Sequence, residues 1–484
     1  MSESGSDIKT KTVSGLFYRF MERILAQLIS TVVSIVLARI LMPEEYGVIA
    51  LVTVLITLCN VFVTDGLGNA LIQRKDADET DFSTCFWAGF GLSVVLYAIL
   101  FFCAPLLARF YEKPILTSII RVMGIRLIVA SMNSVQHAYV SKHMQFRKFF
   151  YSTLIGTVIS SVVGIYLAYR GAGVWALVAQ YMTNSVCDTF VLLITIKWKP
   201  RLLFSWQRFK KFFAYAWKLF VSGFLNHFYS EVRTLIIAKK YSDSDLAFYN
   251  KGYSFPSLII GNINTSINGV IFPVLAFSNE KKEEMKRIVK RGFKTASYII
   301  FPLLLGFAAV AETFVEVVLT DKWMECAVFI QIFCISDLLS PMNSIASNVM
   351  RAVGRSDLVL KNNIIIKVIG FGFILMSVRF GVFWIAISTV AATFVATVVN
   401  NLPLKSMIGY SIKEEFIDVL PYLLLSVVMS VLVWCVGFLN IPKVLLLLFQ
   451  VLVGMGVYVG ISELFKLEQY QYLKKSIAEK LRKR

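Results

Sequence analysis

Histidine is almost absent from this 484-residue chain, which holds three. The seven cysteines, at 59, 85, 103, 187, 326, 334 and 435, are scattered and form no CxxC pair. Such spacing, with so few imidazoles, offers neither a metal-ligand set nor a disulfide framework. P-loop, GxSxG and HExxH strings are missing too, which removes ATP hydrolysis, a nucleophile elbow and a zinc protease from consideration. The chain is therefore expected to be no enzyme and to hold no resident cofactor or metal. Charge is thin as well. Charged residues make up 16% of the chain against 57% hydrophobic ones, and the mean hydropathy is +0.69. That balance excludes a soluble globule with a polar surface.

What is present instead is a series of apolar runs of roughly 20 residues, the length a helix needs to cross a bilayer core. About 14 can be placed: 15–41, 46–71, 82–108, 116–140, 149–169, 173–196, 212–238, 246–276, 293–319, 326–350, 359–378, 381–404, 416–438 and 442–465. The expected fold is an all-α polytopic membrane protein, with two six-helix lobes and two C-terminal helices around a central cationic cavity. Its parts are a loose cytoplasmic tail at 1–13, an N-terminal lobe and connecting loop at 14–211, a C-terminal lobe at 212–415, two added helices at 416–465 and a basic cytoplasmic tail at 466–484. The first run is too long and too charged for a secretory signal, and no small-residue cleavage site follows it.

Lys and Arg number 49 against 30 Asp and Glu, a net charge of +19. They concentrate between 197 and 211, between 281 and 294, and in the tail KKSIAEKLRKR. With the N terminus inside, all three stretches fall on the cytoplasmic side, as the positive-inside bias requires. Both termini are then expected in the cytoplasm. Anionic lipid headgroups account for the excess charge, and no nucleic acid partner is needed.

The chain also repeats itself. LARILMPEEYGVI at 37–49 and IAKKYSDSDLAFY at 237–249 share a small residue, a cation, an acidic turn and a following apolar run. Paired bundles with a cavity between them are transporter architecture. Arg19, Arg23, Gln27, Ser30 and Ser34 recur at helical spacing in the first span, and Lys218, Ser222, Asn226, Tyr229 and Arg233 in the seventh. A charge at the bilayer centre costs about 2.5 to 3.5 kcal/mol on insertion scales, so both stripes are expected to face the space between the lobes. Arg126 and Lys251 also fall within spans. Arg19 and Lys218 lie near enough to the cytoplasmic face to snorkel, whereas Arg23, Arg126, Arg233 and Lys251 sit deeper. A cationic interior implies an anionic cargo, because Arg offers a planar fork to phosphate oxygens and Lys a point charge. Neutral groups such as Asn226 and Asn262 match sugar hydroxyls.

Acids within the spans include Glu22, Asp65, Asp188, Glu231 and Asp337. Glu22, Asp65, Glu231 and Asp337 are candidates for coupling or gating by protons or sodium ions; for Asp65 a local capping role is an equal alternative. Arg126, Asn133 and His137 share a helical face, as do Asp337, Pro341, Ser344 and Asn348. Pro256, Pro273, Pro302 and Pro341, with Gly261 and Gly269, are expected to kink helices or admit close backbone approach.

The stretches LARILMPEEYGVIALV, DGLGNALIQRK, HMQFRKF, GAGVWALVAQ, KWKPRLLFS and FYNKGYSFPSLI, in that order between residues 37 and 259, resemble the polysaccharide biosynthesis flippases of bacteria. These are the O-antigen and colanic-acid type exporters of the multidrug/oligosaccharidyl-lipid/polysaccharide superfamily. Met42 stands where relatives often have Gly, and SKHMQF carries fewer cations than the Arg-rich turn common in the family. The resemblance implies flipping of undecaprenyl-pyrophosphate-linked oligosaccharide units across the bacterial inner membrane by alternating access, with a polymerase and glycosyltransferases as pathway partners. On that reading the diphosphate falls to Arg23, Arg126, Arg233 and Lys251, and Arg19, Lys218, Asn226 and Asn262 complete the substrate path. Two other classes stand beside it. A cation-coupled drug or metabolite exporter is disfavoured by the interior excess of Lys and Arg, and a membrane scaffold for glycan enzymes would leave the charged stripes without a purpose.

Overall fold

The computed structural model describes residues 5–64, 67–74, 77–278 and 281–482. The chain divides into two compact units, Met1–Ala247 and Phe248–Arg484. The first holds α1 (Gly5–Ile40), α2 (Pro43–Thr64), α3 (Leu67–Gln73), α4 (Glu79–Phe110), α5 (Leu116–Lys142), α6 (Phe146–Tyr169), α7 (Val174–Thr195) and α8 (Trp206–Lys240). The second begins inside α9 (Asp243–Phe277) and continues through α10 (Lys282–Ala309), α11 (Ala311–Val318), α12 (Cys326–Asp337), α13 (Ser340–Ala352), α14 (Ser356–Ser377), α15 (Val382–Ile408), α16 (Ile412–Val436), α17 (Lys443–Leu464) and α18 (Glu468–Arg482).

Among the described residues, thirteen stretches are long and apolar enough to cross a membrane, α12 and α13 counting as one. The fourteenth expected span, 212–238, is helical within α8 but falls short of that apolarity because it carries Lys218, His227, Glu231 and Arg233. Three expected spans are composite. Residues 46–71 divide into α2 and α3, 293–319 into α10 and α11, and 326–350 into α12 and α13. Pro341 stands in the first turn of α13, where its missing N–H is harmless, so it starts a helix instead of kinking one. Pro256 and Pro273 lie inside α9, and Pro302 inside α10. Gly261 and Gly269 face open space, contrary to the expected close approach. Gly252 makes that contact instead, since a Cβ there would stand 2.4 Å from Cβ of Phe329. Helix α1 begins at Gly5, within the expected loose tail, and the basic C-terminal tail is largely helical as α18.

Small residues set the packing of the first unit. Gly156, Ser160, Gly164 and Ala168 form a buried stripe on α6, and a Cβ on Gly164 would lie 3.0 Å from Cβ of Gln180 on α7. Without a hydrophobic force between helices in lipid, close backbone approach of this kind is what holds them. An aromatic cluster of Phe82, Phe86, Phe149 and Trp198 closes the same unit, and Phe212, Ala216 and Phe220 of α8 pack into it. Arg208 of α8 pairs with Asp78 and, at 3.0 Å, with Asp81, which together form the capping box of α4. These contacts place α8 in the first unit, although the expected lobe boundary at 211–212 assigned it to the second.

The internal repeat has a structural counterpart. Helices α1 and α2 are joined by Leu41–Met42, and α8 and α9 by Tyr241–Ser242. In each turn the second residue's N–H donates to the acid three positions on: Met42 to Glu45 at 2.8 Å, Ser242 to Asp245 at 3.2 Å. The turns also meet. Ser244 donates to Glu44 at 2.6 Å, Lys113 pairs with Asp243 at 2.5 Å, and a Cβ on Gly47 would stand 2.0 Å from the Asp243 carbonyl oxygen.

Candidate functional site

In the first unit a cavity of about 320 Å³ is lined by apolar residues such as Ile72 and Ala130 together with Asn60, Thr64, Asn133, Ser134 and His137. The last three come from α5, spaced so that one helical face carries them. Beside it Asp188 of α7 accepts from Asn133 Nδ2 at 2.5 Å and faces His137 Nε2 at 3.6 Å. The His137 ring lies against Phe149, with centroids 4.5 Å apart. Three buried acceptors here, Asn60 Oδ1, Asn133 Oδ1 and Asp188 Oδ1, receive no hydrogen bond from the described residues. Donors and acceptors are thus mixed at this face, with Asp188 as its one carboxylate among the residues named here.

The predicted cations occupy separate surroundings. Arg23 is exposed and lines an open cavity of about 390 Å³ with Glu22, Gln27 and Ser30. Glu22 itself accepts from Thr153 at 3.1 Å, which ties α1 to α6. Arg126 is half-buried, donates to Ser185 at 3.0 Å and lies 5.3 Å over the Tyr181 ring. Arg233 is 8% exposed, and its Nε has no hydrogen-bond partner among the described residues. The stripe on α8 is thus open at Lys218, Ser222 and Asn226 and closes toward Arg233. Glu231 is half-buried and bonded to Thr234. Arg19 belongs to α1 with its side chain outside the described residues, and Asp65 falls outside them as well.

In the second unit Lys251 is buried, with its ammonium 5.7 Å from the Trp323 ring and 5.9 Å from that of Phe255. An ammonium over aromatic faces is attracted by the ring quadrupoles, which offsets part of its desolvation. Asn262 donates to the Leu258 carbonyl of its own helix. Asp337 ends α12, at the break before α13. The expected face of α13 is real: Ser344 and Asn348 both donate to Asn268 Oδ1 of α9, at 2.6 Å each. Further amides extend this network, Asn343 to Thr397 at 3.0 Å, Asn400 to Asn343 at 3.2 Å and Asn264 to Ser340 at 2.8 Å. An apolar cavity of about 560 Å³ lies among α10, α16 and α17, where Gln450 and Tyr458 are among the few polar lining residues.

The pairing of Asp188 with His137 and Asn133, and the part played by Asn60, were not anticipated from the sequence. The signal available was the Asn133 and His137 face, together with a carboxylate inside a later span.

Helical spans with polar and ionised side chains at their interior faces, arranged in two repeat-related units, are the architecture of a membrane transporter. The chain belongs to the family described as polysaccharide biosynthesis protein, whose model matches residues 36–328. It is similar to the teichuronic acid biosynthesis protein TuaB of Bacillus subtilis (strain 168), 25% identical over 299 residues that span 60% of this chain and 61% of TuaB. It is also similar to the lipopolysaccharide biosynthesis protein WzxC of Escherichia coli (strain K12), 24% identical over 365 residues, 74% of this chain and 73% of WzxC. The solved structure of the lipid II flippase MurJ in an inward closed conformation superposes with a TM-score of 0.73 at 15% identity, covering 94% of this chain and 98% of that one. The shared fold is that of an all-helical, multi-pass membrane protein, as the sequence led one to expect.

Proposed function

We propose that this protein is a flippase that moves undecaprenyl-pyrophosphate-linked oligosaccharide units across the bacterial inner membrane by alternating access, for assembly of a surface polysaccharide. Family membership supports the class. The observation that carries the substrate chemistry is Arg233, a nearly buried guanidinium whose Nε has no hydrogen-bond partner among the described residues. A buried charge without a counter-ion is strongly unfavourable, and a passing diphosphate compensates it. Arg23, Arg126 and Lys251 contribute further positive charge along the path, with Arg19, Lys218, Asn226 and Asn262 at its margins. The apolar cavity among α10, α16 and α17 has room for isoprene units. A proton or sodium gradient drives the cycle, with Glu22, Asp65, Glu231 and Asp337 as coupling or gating acids, and both termini lie in the cytoplasm. A polymerase and glycosyltransferases are the pathway partners.

The test depletes the protein in its native cell and locates the lipid-linked oligosaccharide by leaflet-selective labelling. Complete units should accumulate on the cytoplasmic leaflet, relieved by the wild type but not by Arg23→Ala or Arg233→Ala at equal membrane levels, while Lys480→Ala behaves as wild type. Wild-type activity in both variants would sink the cationic path, and undisturbed outward delivery on depletion would reject flipping.

A further inference from the structure

Helix α18 folds back onto the basic start of α10. Thr295 donates to the buried Gln469 at 2.8 Å, Lys294 pairs with Glu468 at 2.8 Å, and Lys474 pairs with Glu463 of α17 at 2.8 Å. The Arg291 guanidinium lies 3.8 Å from the centre of the Tyr472 ring. Between the two helices is a cavity of about 550 Å³ lined mainly by Arg287, Lys290, Arg291, Lys294, Tyr472 and Lys475. Its charge is not balanced. Lys290 and Lys294 share Asp418, at 3.0 and 3.8 Å, and Lys294 also holds Glu468. Arg287, Arg291 and Lys475 have no carboxylate partner among the described residues. Three uncompensated cations thus surround one cavity, and the ring under Arg291 fixes its plane so that its N–H edge is held ready for anionic oxygens.

We propose that this cavity binds the phosphodiester headgroup of an anionic phospholipid, with α18 as the arm that holds it in place. Position favours a lipid over a soluble phosphate. Helix α18 starts four residues after Leu464, the end of the membrane-crossing α17, so the cavity stands at headgroup level. Tyr470 and Tyr472 of α18 stand beside Lys474 and Lys475, the mixture of aromatic and basic residues found in a helix that lies in a membrane interface. This site is separate from the path proposed for the cargo and does not depend on it.

The experiment uses the full chain purified in detergent, mixed with phosphatidylglycerol or with phosphatidylcholine of the same acyl chains, and counts retained lipid by native mass spectrometry. The wild type should retain one phosphatidylglycerol under conditions that strip phosphatidylcholine. The triple variant Arg287→Ala, Arg291→Ala, Lys475→Ala should lose occupancy about tenfold or more. A control that removes the same charge outside the cavity, Lys281→Ala, Lys282→Ala, Lys413→Ala, should bind as wild type. Should the first triple fail to fold, Tyr472→Ala, which removes the ring but no charge, is expected to weaken retention severalfold. Equal retention by wild type and the cavity variants overturns the site. Thermal stabilisation of the wild type by inorganic pyrophosphate, without selective lipid retention, overturns the lipid assignment in favour of a soluble ligand.

Discussion

The two units solve the problem of polar groups in a membrane span differently. The first holds ionised groups, with Asp188 facing His137, Arg126 against Ser185 and Tyr181, and Arg233 nearly buried. The second relies largely on neutral amides and hydroxyls, in two groups that meet on α13: Asn268 with Ser344 and Asn348, and Asn343 with Thr397 and Asn400. Neutral groups satisfy one another through fixed hydrogen bonds and carry no Coulomb term, so the network bridges α9, α13 and α15 without needing a counter-ion. Ionised groups respond to what enters beside them. The contrast assigns response to the first unit and holding to the second, although Lys251 and Asp337 keep some charge in the latter.

The contrast can be broken by moving charge across it. Asn348→Asp puts a carboxylate at a 3% exposed position opposite the Asn268 oxygen, and an uncompensated buried charge costs about 3 kcal/mol or more. Thermal unfolding and gel-filtration profile in detergent should show a sharp loss. Gly47→Ala, at the seam of the two repeated turns, should cost about 1 to 3 kcal/mol because the neighbouring atom is backbone and cannot yield cheaply; Gly261→Ala in open space, measured alongside, should be nearly neutral. Asp188→Asn preserves shape and an acceptor for Asn133, so its cost should be about 1 kcal/mol, while transport should fall because the carboxylate charge is gone. Wild-type transport in this variant would deny the first unit its responsive role.

The smallest effect concerns Asp78. Arg208 holds its carboxyl below the ordinary aspartate value of 3.8, so the pair contributes stability above that pH and loses it as acidification passes through the lowered value. Asp78→Asn should remove that acid slope and leave stability at neutral pH little changed, since the pair is exposed. The amide network has no such titration and should show no counterpart.

Span positions were legible because length and apolarity are properties of the chain itself. Observed helices such as α5, α7 and α15 begin within a residue or two of expectation. Interruptions were not, since the apolar run over 326–350 reads as continuous and only tertiary packing opens it at Leu338–Leu339. The allegiance of α8 was hidden for a related reason: periodicity reveals that Phe212, Ala216 and Phe220 share a face, but not which neighbour covers it. Arg233 lies buried, as its depth in the span led one to expect, and Asn133 and His137 do share a face of α5. Asp188 stood in view as an intramembrane acid, yet its partners lie 51 to 55 residues away, beyond what helical spacing can connect.

The seam where Gly47 abuts Asp243 also bears on biogenesis. Its two sides are nearly 200 residues apart in the chain, so the contact cannot form until the ribosome has made α8 and the start of α9. The helices before it enter the membrane with that surface of α2 uncovered, and closing the first unit is a late step in its assembly. A chain truncated before residue 243 should keep its helices inserted yet remain unusually open to protease at the α1–α2 turn.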